Sequence, residues 1–193
     1  MMSTFITLLA AAVLSENIVF TKALGFGDAA REEKSLLALL KKCATVAAFM
    51  LAATLITYPL INLVLIPLKG RFLAPLLSVL VICGIIFGVR LLADKFLPIL
   101  GRFLNKNSHL LYCSSILLGV CLMNFESLLI TNYLWAILYT LASAVGFTLA
   151  SLLFFGLSPR LSDESLPQSV RGVPATLIVA ALLSMALGGF SGI

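Results

Sequence analysis

Charged residues are scarce in this sequence. Only 11% of its 193 residues are Asp, Glu, Lys or Arg, whereas 61% are hydrophobic. Soluble globular domains carry about 25% charged residues, so this composition excludes an ordinary soluble protein. The sequence has 1 histidine, and its 4 cysteines form no C-x-x-C pair, so it offers neither a catalytic triad nor a spaced metal-ligand set. The net charge is +5, but the sequence has no basic stripe with interleaved aromatic residues. Nothing in it therefore indicates nucleic-acid binding.

Long apolar runs occupy most of the chain. A membrane-crossing helix needs about 20 mostly apolar residues, and six such stretches are present, at about 3–24, 38–60, 72–93, 110–130, 133–157 and 173–192. The short connections leave no room for a soluble catalytic domain. The first stretch lacks the basic leader and the small-residue cleavage site of a signal peptide. We therefore expect an all-α integral membrane protein, a single membrane domain over residues 1–193 with six transmembrane helices.

The positions of the basic residues predict an orientation. Of the 13 Lys and Arg residues, 11 lie in the loops after spans one, three and five or at the adjoining span ends, and only Lys69 and Arg71 lie on the opposite side. Loops rich in Lys and Arg stay in the cytoplasm. We therefore expect both termini on the non-cytoplasmic side.

The two halves of the sequence resemble each other at an offset of 98 to 100 residues. The segment "ATVAAFMLAATL" at 44–55 aligns with "ASAVGFTLASLL" at 142–153. The proline, arginine and proline of "PLKGRFLAP" at 67–75 recur in the same order in "PQSVRGVP" at 167–174. Because each half would contain three spans, an odd number, the second half would enter the membrane with inverted topology. We therefore expect two inverted three-helix repeats, about 1–97 and 98–193, an architecture that forms sites near the midplane. Chance similarity between alanine-rich helices is the alternative.

A polar stretch, "LSENIVFTKALGFGDAAREEK" at 14–34, lies at the end of the first apolar run. Its partner in the repeat, "CSSILLGVCL" at 113–122, also carries small or polar residues and a glycine. Such segments leave the helix only where protein or water satisfies the freed backbone groups. Two interpretations stay open for Gly25 and Gly27. Helices one and four are interrupted, or these glycines form an ordinary C-terminal cap.

Three polar side chains of the first span are candidates for an ion pathway: Glu16, Asn17 and Lys22. Glu16 lies deep in the span, roughly 20 Å along it at helical rise, where a carboxylate needs a partner. It can carry a proton, bind a cation together with Asn17 or pair with a basic group, and a structural hydrogen bond is the competing explanation. Lys22 lies about 240° round the helix from Glu16, so we expect it to extend to the basic side instead.

Six short motifs occur in order along the chain: "ENIVFTKALGFG" (16–27), "LIPL" (65–68), "LLGVCLMN" (117–124), "SAVGF" (143–147), "LP" followed by "RG" (166–172) and "GFSG" (189–192). Together they resemble the small six-span subunits of the Rnf electron-transport complex and of the sodium-translocating NADH:quinone oxidoreductase, Nqr. The A subunit of the former and the E subunit of the latter are most similar. The resemblance implies a bacterial inner-membrane subunit of a complex that couples electron transfer to sodium or proton movement. It also implies partners: a homologous six-helix sister subunit of opposite topology, and flavin or iron–sulfur subunits.

The sequence departs from the family at the iron site that the resemblance implies. The two family cysteines align with Gly27 and Ser115, and neither residue supplies the thiolate that iron–sulfur centres need. Cys113 is only a weak substitute, because two residues along a helix turn a side chain by about 200°. We therefore expect no cofactor in this chain, with iron–sulfur and flavin groups in the partner subunits. The 4 cysteines are expected to pack as small hydrophobic residues.

Three hypotheses about function remain. The chain is a membrane subunit of an Rnf-type redox pump without its own iron ligands, and we favour this hypothesis. Alternatively, it is a cysteine-poor paralogue that transports a small solute or an ion by itself. In the third hypothesis it is a structural partner of a cysteine-bearing sister. An enzyme in its own right is not expected, because no catalytic constellation is present.

The orientation can be tested with an impermeant thiol reagent applied to intact cells. A cysteine introduced near residue 1 should be labelled from outside, and one introduced at Ala30 should not, because the basic loops hold Ala30 on the cytoplasmic side. The unaltered chain provides the background from its own cysteines. The reverse labelling pattern would overturn the orientation.

Overall fold

The computed structural model describes residues 17–30, 35–65, 73–96, 115–126, 132–161, 167 and 172–189. Helices are the regular secondary structure of these residues, and no strand occurs among them. The helices are α1 (Ile18–Thr21), α2 (Phe26–Ala29), α3 (Leu36–Leu60), α4 (Ala74–Phe96), α5 (Ser115–Glu126), α6 (Tyr133–Leu161) and α7 (Val173–Gly188), and a π-helical turn, Ile61–Leu65, directly follows α3.

Two of these helical segments are long and apolar enough to cross a membrane. Leu36–Leu63 has a mean hydropathy of 1.8 and Tyr133–Leu157 one of 1.9. Shorter apolar helices occupy Pro75–Val89, Ser115–Asn124 and Val173–Gly188. The described residues are therefore helical and largely apolar, as expected of an all-α integral membrane protein. The number of spans and the inverted repeats stay predictions.

Large apolar side chains cover the outer faces of α4 and α7. On α4, Leu76, Leu80 and Phe87 recur at helical spacing and are 66%, 71% and 59% exposed. On α7 the same holds for Leu177 and Met185, which are 53% and 76% exposed. Soluble monomers rarely expose contiguous apolar patches of this kind. Such faces are suited to contact with lipid or with other membrane proteins.

The chain packs as two compact units. The first unit comprises Met1–Thr45 and Ala142–Ile193, and the second comprises Val46–Leu141. Each unit therefore draws on both halves of the sequence, and α3 and α6 contribute residues to each. Buried side chains of the first unit include Val19, Leu39, Phe147 and Ala150, and those of the second include Met50, Ile61, Ile116, Val120 and Ala136.

Within the second unit, a proline disturbs the end of α3. Pro59 lies inside this helix and has no N–H, so the carbonyl of Leu55, four residues earlier, loses its helical donor. The hydroxyl of Tyr133, at the start of α6, donates to this carbonyl at 3.2 Å. The tyrosine therefore supplies the hydrogen bond that the proline removes. The π-helical turn begins two residues after the proline.

Replacing Tyr133 by phenylalanine should lower stability by about 0.5–1.5 kcal/mol, because the Leu55 carbonyl then lacks its donor. In a Pro59→Ala background the alanine N–H can bond the same carbonyl, so the tyrosine change should cost less. Thermal unfolding of the four variants in detergent measures both effects. An equal loss in the two backgrounds would show that the tyrosine hydroxyl does not compensate for the proline.

Candidate functional site

The first unit contains a break in the first predicted span, residues 17–30, which we call the first-span break. Helix α1 ends at Thr21, after 4 residues. The backbone then adopts left-handed angles at Ala23 (φ 54°) and Gly25 (φ 73°), a region that glycine tolerates and alanine disfavours. Gly25 is the N-cap of a second short helix, α2, which contains Gly27. Gly25 therefore lies between two short helices, and Gly27 lies within the second of them.

Asn17 holds the start of the break in place. Its side chain is fully buried, and its Oδ1 accepts from the Val19 N–H at 3.1 Å, capping α1. Its Nδ2 donates to the carbonyl oxygen of Gly146 on α6 at 2.9 Å. One amide therefore both caps a short helix and joins it to a long one.

The carbonyl of Phe20 has no helical donor, because the N–H of Leu24 bonds Ile18 instead, at 3.3 Å. The hydroxyl of Ser184 on α7 donates to Phe20 at 3.0 Å. A side chain from another helix thus satisfies the backbone group that the break frees. This is the condition for irregular backbone within a membrane.

Aromatic rings and a lysine fix the rest of the break. The rings of Phe20 and Phe26 lie 5.9 Å and 5.4 Å from the ring of Phe154 on α6. The Nζ of Lys42 on α3 donates to the carbonyl of Asp28 at 2.6 Å, and this lysine is only 7% exposed. The break is therefore tied to α3, α6 and α7.

The positions that the resemblance aligns with iron ligands carry no thiol in the structure. Gly27 is exposed, and a Cβ built on it would have no heavy atom within 4 Å. A cysteine would therefore fit there, but glycine offers no donor. Ser115 is exposed and is the first residue of α5, in the second unit. The residues present do not fit an iron–sulfur centre.

The cysteines among the described residues do not form a ligand set. Cys43 and Cys121 are buried, and Cys83 is exposed on α4. No group of three or more His, Cys, Asp or Glu side chains that could hold a metal occurs in the described part of the chain. Cys113 lies outside the described residues.

The ion-pathway candidates of the first span have separate environments. Asn17 is buried and hydrogen-bonded, whereas Lys22 is exposed. Glu16 lies outside the described residues. The sequence marks Asn17 as a polar residue of an apolar span. Its partner Gly146 is 129 positions away, and no local pattern identifies such a contact.

A second polar group, which the sequence reasoning missed, lies in the second unit. Thr54, Thr57, Asn124 and Thr140 are 1%, 1%, 3% and 0% exposed, and we call them the Asn124 cluster. The Nδ2 of Asn124 donates to Thr140 Oγ1 at 3.0 Å and to Thr54 Oγ1 at 3.3 Å. In the sequence, these residues are visible only as polar residues within apolar spans. Their spacing along the chain does not show that their side chains contact one another.

Replacing Asn17 by leucine, a residue of similar size, should destabilise the chain by about 1–3 kcal/mol. The change removes both the cap of α1 and the bond to Gly146. Thr45→Val is the matched control, because the exposed Thr45 hydroxyl bonds only the Lys41 carbonyl of its own helix, and it should be nearly neutral. Unfolding in detergent measures both, and equal losses would refute the anchoring role of Asn17.

Comparison with known proteins identifies the family. A family model described as "Rnf-Nqr subunit, membrane protein" matches residues 5–193. The A subunit of the ion-translocating oxidoreductase complex of Actinobacillus pleuropneumoniae serotype 5b is 31% identical over 192 residues, covering 100% of this chain and 98% of the relative. The same figures hold for the A subunit of that complex in Escherichia coli strain K12 / DH10B. The A subunit of the Na(+)-translocating ferredoxin:NAD(+) oxidoreductase complex of Acetobacterium woodii is 29% identical over 189 residues, covering 98% of this chain and 97% of the relative.

The match covers nearly the whole chain, and the relatives named are A subunits, so the resemblance drawn from the short motifs is confirmed. The chain belongs to the Rnf-Nqr family of membrane protein subunits.

Proposed function

We propose that this chain is a membrane subunit of an Rnf-type complex that couples electron transfer to ion translocation. The observation that carries the proposal is the similarity over the full length to relatives named as A subunits of ion-translocating oxidoreductase complexes. Because the match covers 98% of those relatives, the similarity is not confined to one segment of an A subunit. The exposed apolar faces of α4 and α7 support a position among lipids and other membrane subunits.

In this proposal the chain does not ligate iron itself. Gly27 and Ser115 offer no thiolate, and the described residues contain no metal-binding group. Iron–sulfur and flavin groups then belong to partner subunits, and a six-helix sister subunit of opposite topology lies beside this chain. The role left to this chain is to form the membrane scaffold and part of the ion path. Glu16, Asn17 and Lys22 are proposed to face protein or water along that path and not lipid.

The proposed setting is the bacterial cytoplasmic membrane, with both termini on the non-cytoplasmic side and six spans in two inverted repeats. The division of the chain into units supports the repeats. One unit boundary lies in the second span, after Thr45, and the other lies in the fifth span, after Leu141. The 98-residue offset between the repeats places the equivalent of Thr45 at position 143, two residues from the second boundary. A chain built from two equivalent three-helix halves would divide at equivalent points.

Because Gly27 and Ser115 carry no thiol, two other functions are also worth testing. A family member without iron ligands can transport a small solute or an ion alone, on the same scaffold. It can also serve as a structural partner of a cysteine-bearing sister subunit. The three functions differ in which proteins accompany the chain.

The deciding experiment is affinity purification of the tagged chain from native membranes in mild detergent, followed by mass spectrometry. We expect flavoprotein and iron–sulfur subunits in the eluate, at amounts comparable to the tagged chain. Membranes with the untagged chain are the control. Recovery with a six-helix sister alone would favour the structural role, and recovery of the chain alone would favour the transporter. Either result would refute the proposal.

A further inference from the structure

One lysine that contacts the first-span break is buried. Lys42 lies on α3, within the membrane-spanning segment Leu36–Leu63, about 9 Å from its start at helical rise. It is 7% exposed, whereas Lys41, its neighbour in the sequence, is exposed. A buried ammonium within a membrane span is costly unless polar groups bond it. The fold therefore buries one of two adjacent lysines, and the break supplies a group that its charge can bond.

The group that bonds Lys42 is a main-chain carbonyl of the break. The Nζ of Lys42 donates to the carbonyl oxygen of Asp28 at 2.6 Å. Helix α2 ends at Ala29, so the Asp28 carbonyl has no donor within this helix. Hydrogen bonds from a charged donor are stronger than those between neutral groups. The ammonium therefore satisfies a carbonyl at the end of α2 and is itself stabilised there.

Broken membrane helices commonly use such carbonyls to bind cations, because unwound backbone and the C-terminal ends of short helices direct their oxygens at the same place. The first-span break has both elements. Its backbone is left-handed at Ala23 and Gly25, and α2 is a helix of 4 residues whose C-terminal end follows directly. At this end the positive charge is supplied by a side chain of the same chain.

We propose that the Lys42 ammonium is the resident cation of the first-span break. It occupies a position at the end of α2 that would otherwise bind a free cation, so the break needs no ion from outside. The chemical class that fits this position is a primary ammonium, which brings N–H donors to the Asp28 carbonyl. The site consists of residues of this chain alone, so it holds or fails independently of the proposed complex.

Chemical rescue tests the site in the full-length chain, purified with whatever subunits it retains. Lys42→Ala removes the ammonium and leaves space for a small cation. In tetramethylammonium chloride, whose cation has no N–H donor, this change should lower the unfolding midpoint by about 4–8 °C. Ethylammonium chloride at the same ionic strength should restore at least half of the loss, measured against the unaltered chain in the same salt, because its cation can bond the Asp28 carbonyl.

Lys41→Ala is the matched control, because it removes the same type of side chain from the adjacent, exposed position. Its midpoint should stay near that of the unaltered chain in both salts. A Lys42→Ala chain as stable as the Lys41→Ala chain would overturn the proposal. A loss that ethylammonium does not reduce would overturn it as well, because the position would then not accept a free cation.

A second comparison decides the matter if Lys42→Ala fails to fold. Lys42→Met keeps the length and the apolar stem of the side chain but removes its charge, whereas Lys42→Arg keeps a cation with N–H donors. The arginine variant should have the higher unfolding midpoint. Equal midpoints would show that the break needs the stem of Lys42 and not its charge, which would refute the resident cation.

Discussion

Satisfaction of backbone hydrogen bonds in an apolar setting is the constraint on which the described structure depends. In lipid, a free N–H or C=O costs several kcal/mol, so a helix can be broken only where something else bonds the freed groups. The first-span break frees the Phe20 carbonyl, and Ser184 donates to it. Pro59 frees the Leu55 carbonyl, and Tyr133 donates to it. In both places a side chain from another helix makes the irregular backbone possible.

The same constraint explains how an apolar chain uses its few buried polar side chains. Asn17 and Asn124 are both buried amides in predicted spans, but they differ in what they bond. The Asn17 side chain bonds backbone through both of its polar atoms. Its Oδ1 accepts from Val19 and its Nδ2 donates to Gly146, and these two bonds fix the geometry of the break. Asn124 donates to two hydroxyls, and its oxygen has no hydrogen-bond partner among the described residues. A bonded amide contributes to stability, whereas a buried oxygen without a partner carries a desolvation cost.

The first-span break is held by contacts that lie away from Gly27. Its anchors to α3, α6 and α7 are in place, and the space at Gly27 would accept a larger side chain. The hydrogen bonds that hold the break do not involve Gly27, so the break does not depend on the side chain at this position.

The sequence by itself determined the class of fold and the family. Apolar runs of about 20 residues predict membrane helices because backbone groups in lipid must bond within their own segment, and the ordered motifs identified the Rnf-Nqr family. It also marked Asn17, Gly25 and Gly27 as unusual, since polar residues and glycines stand out in an apolar span. Only the tertiary structure decided that Gly25 begins a second helix, that Asn17 bonds Gly146 and that Thr54, Asn124 and Thr140 meet. Those contacts join residues from 16 to 129 positions apart, and hydrophobic periodicity shows which face of a helix is apolar but not which helix lies against it.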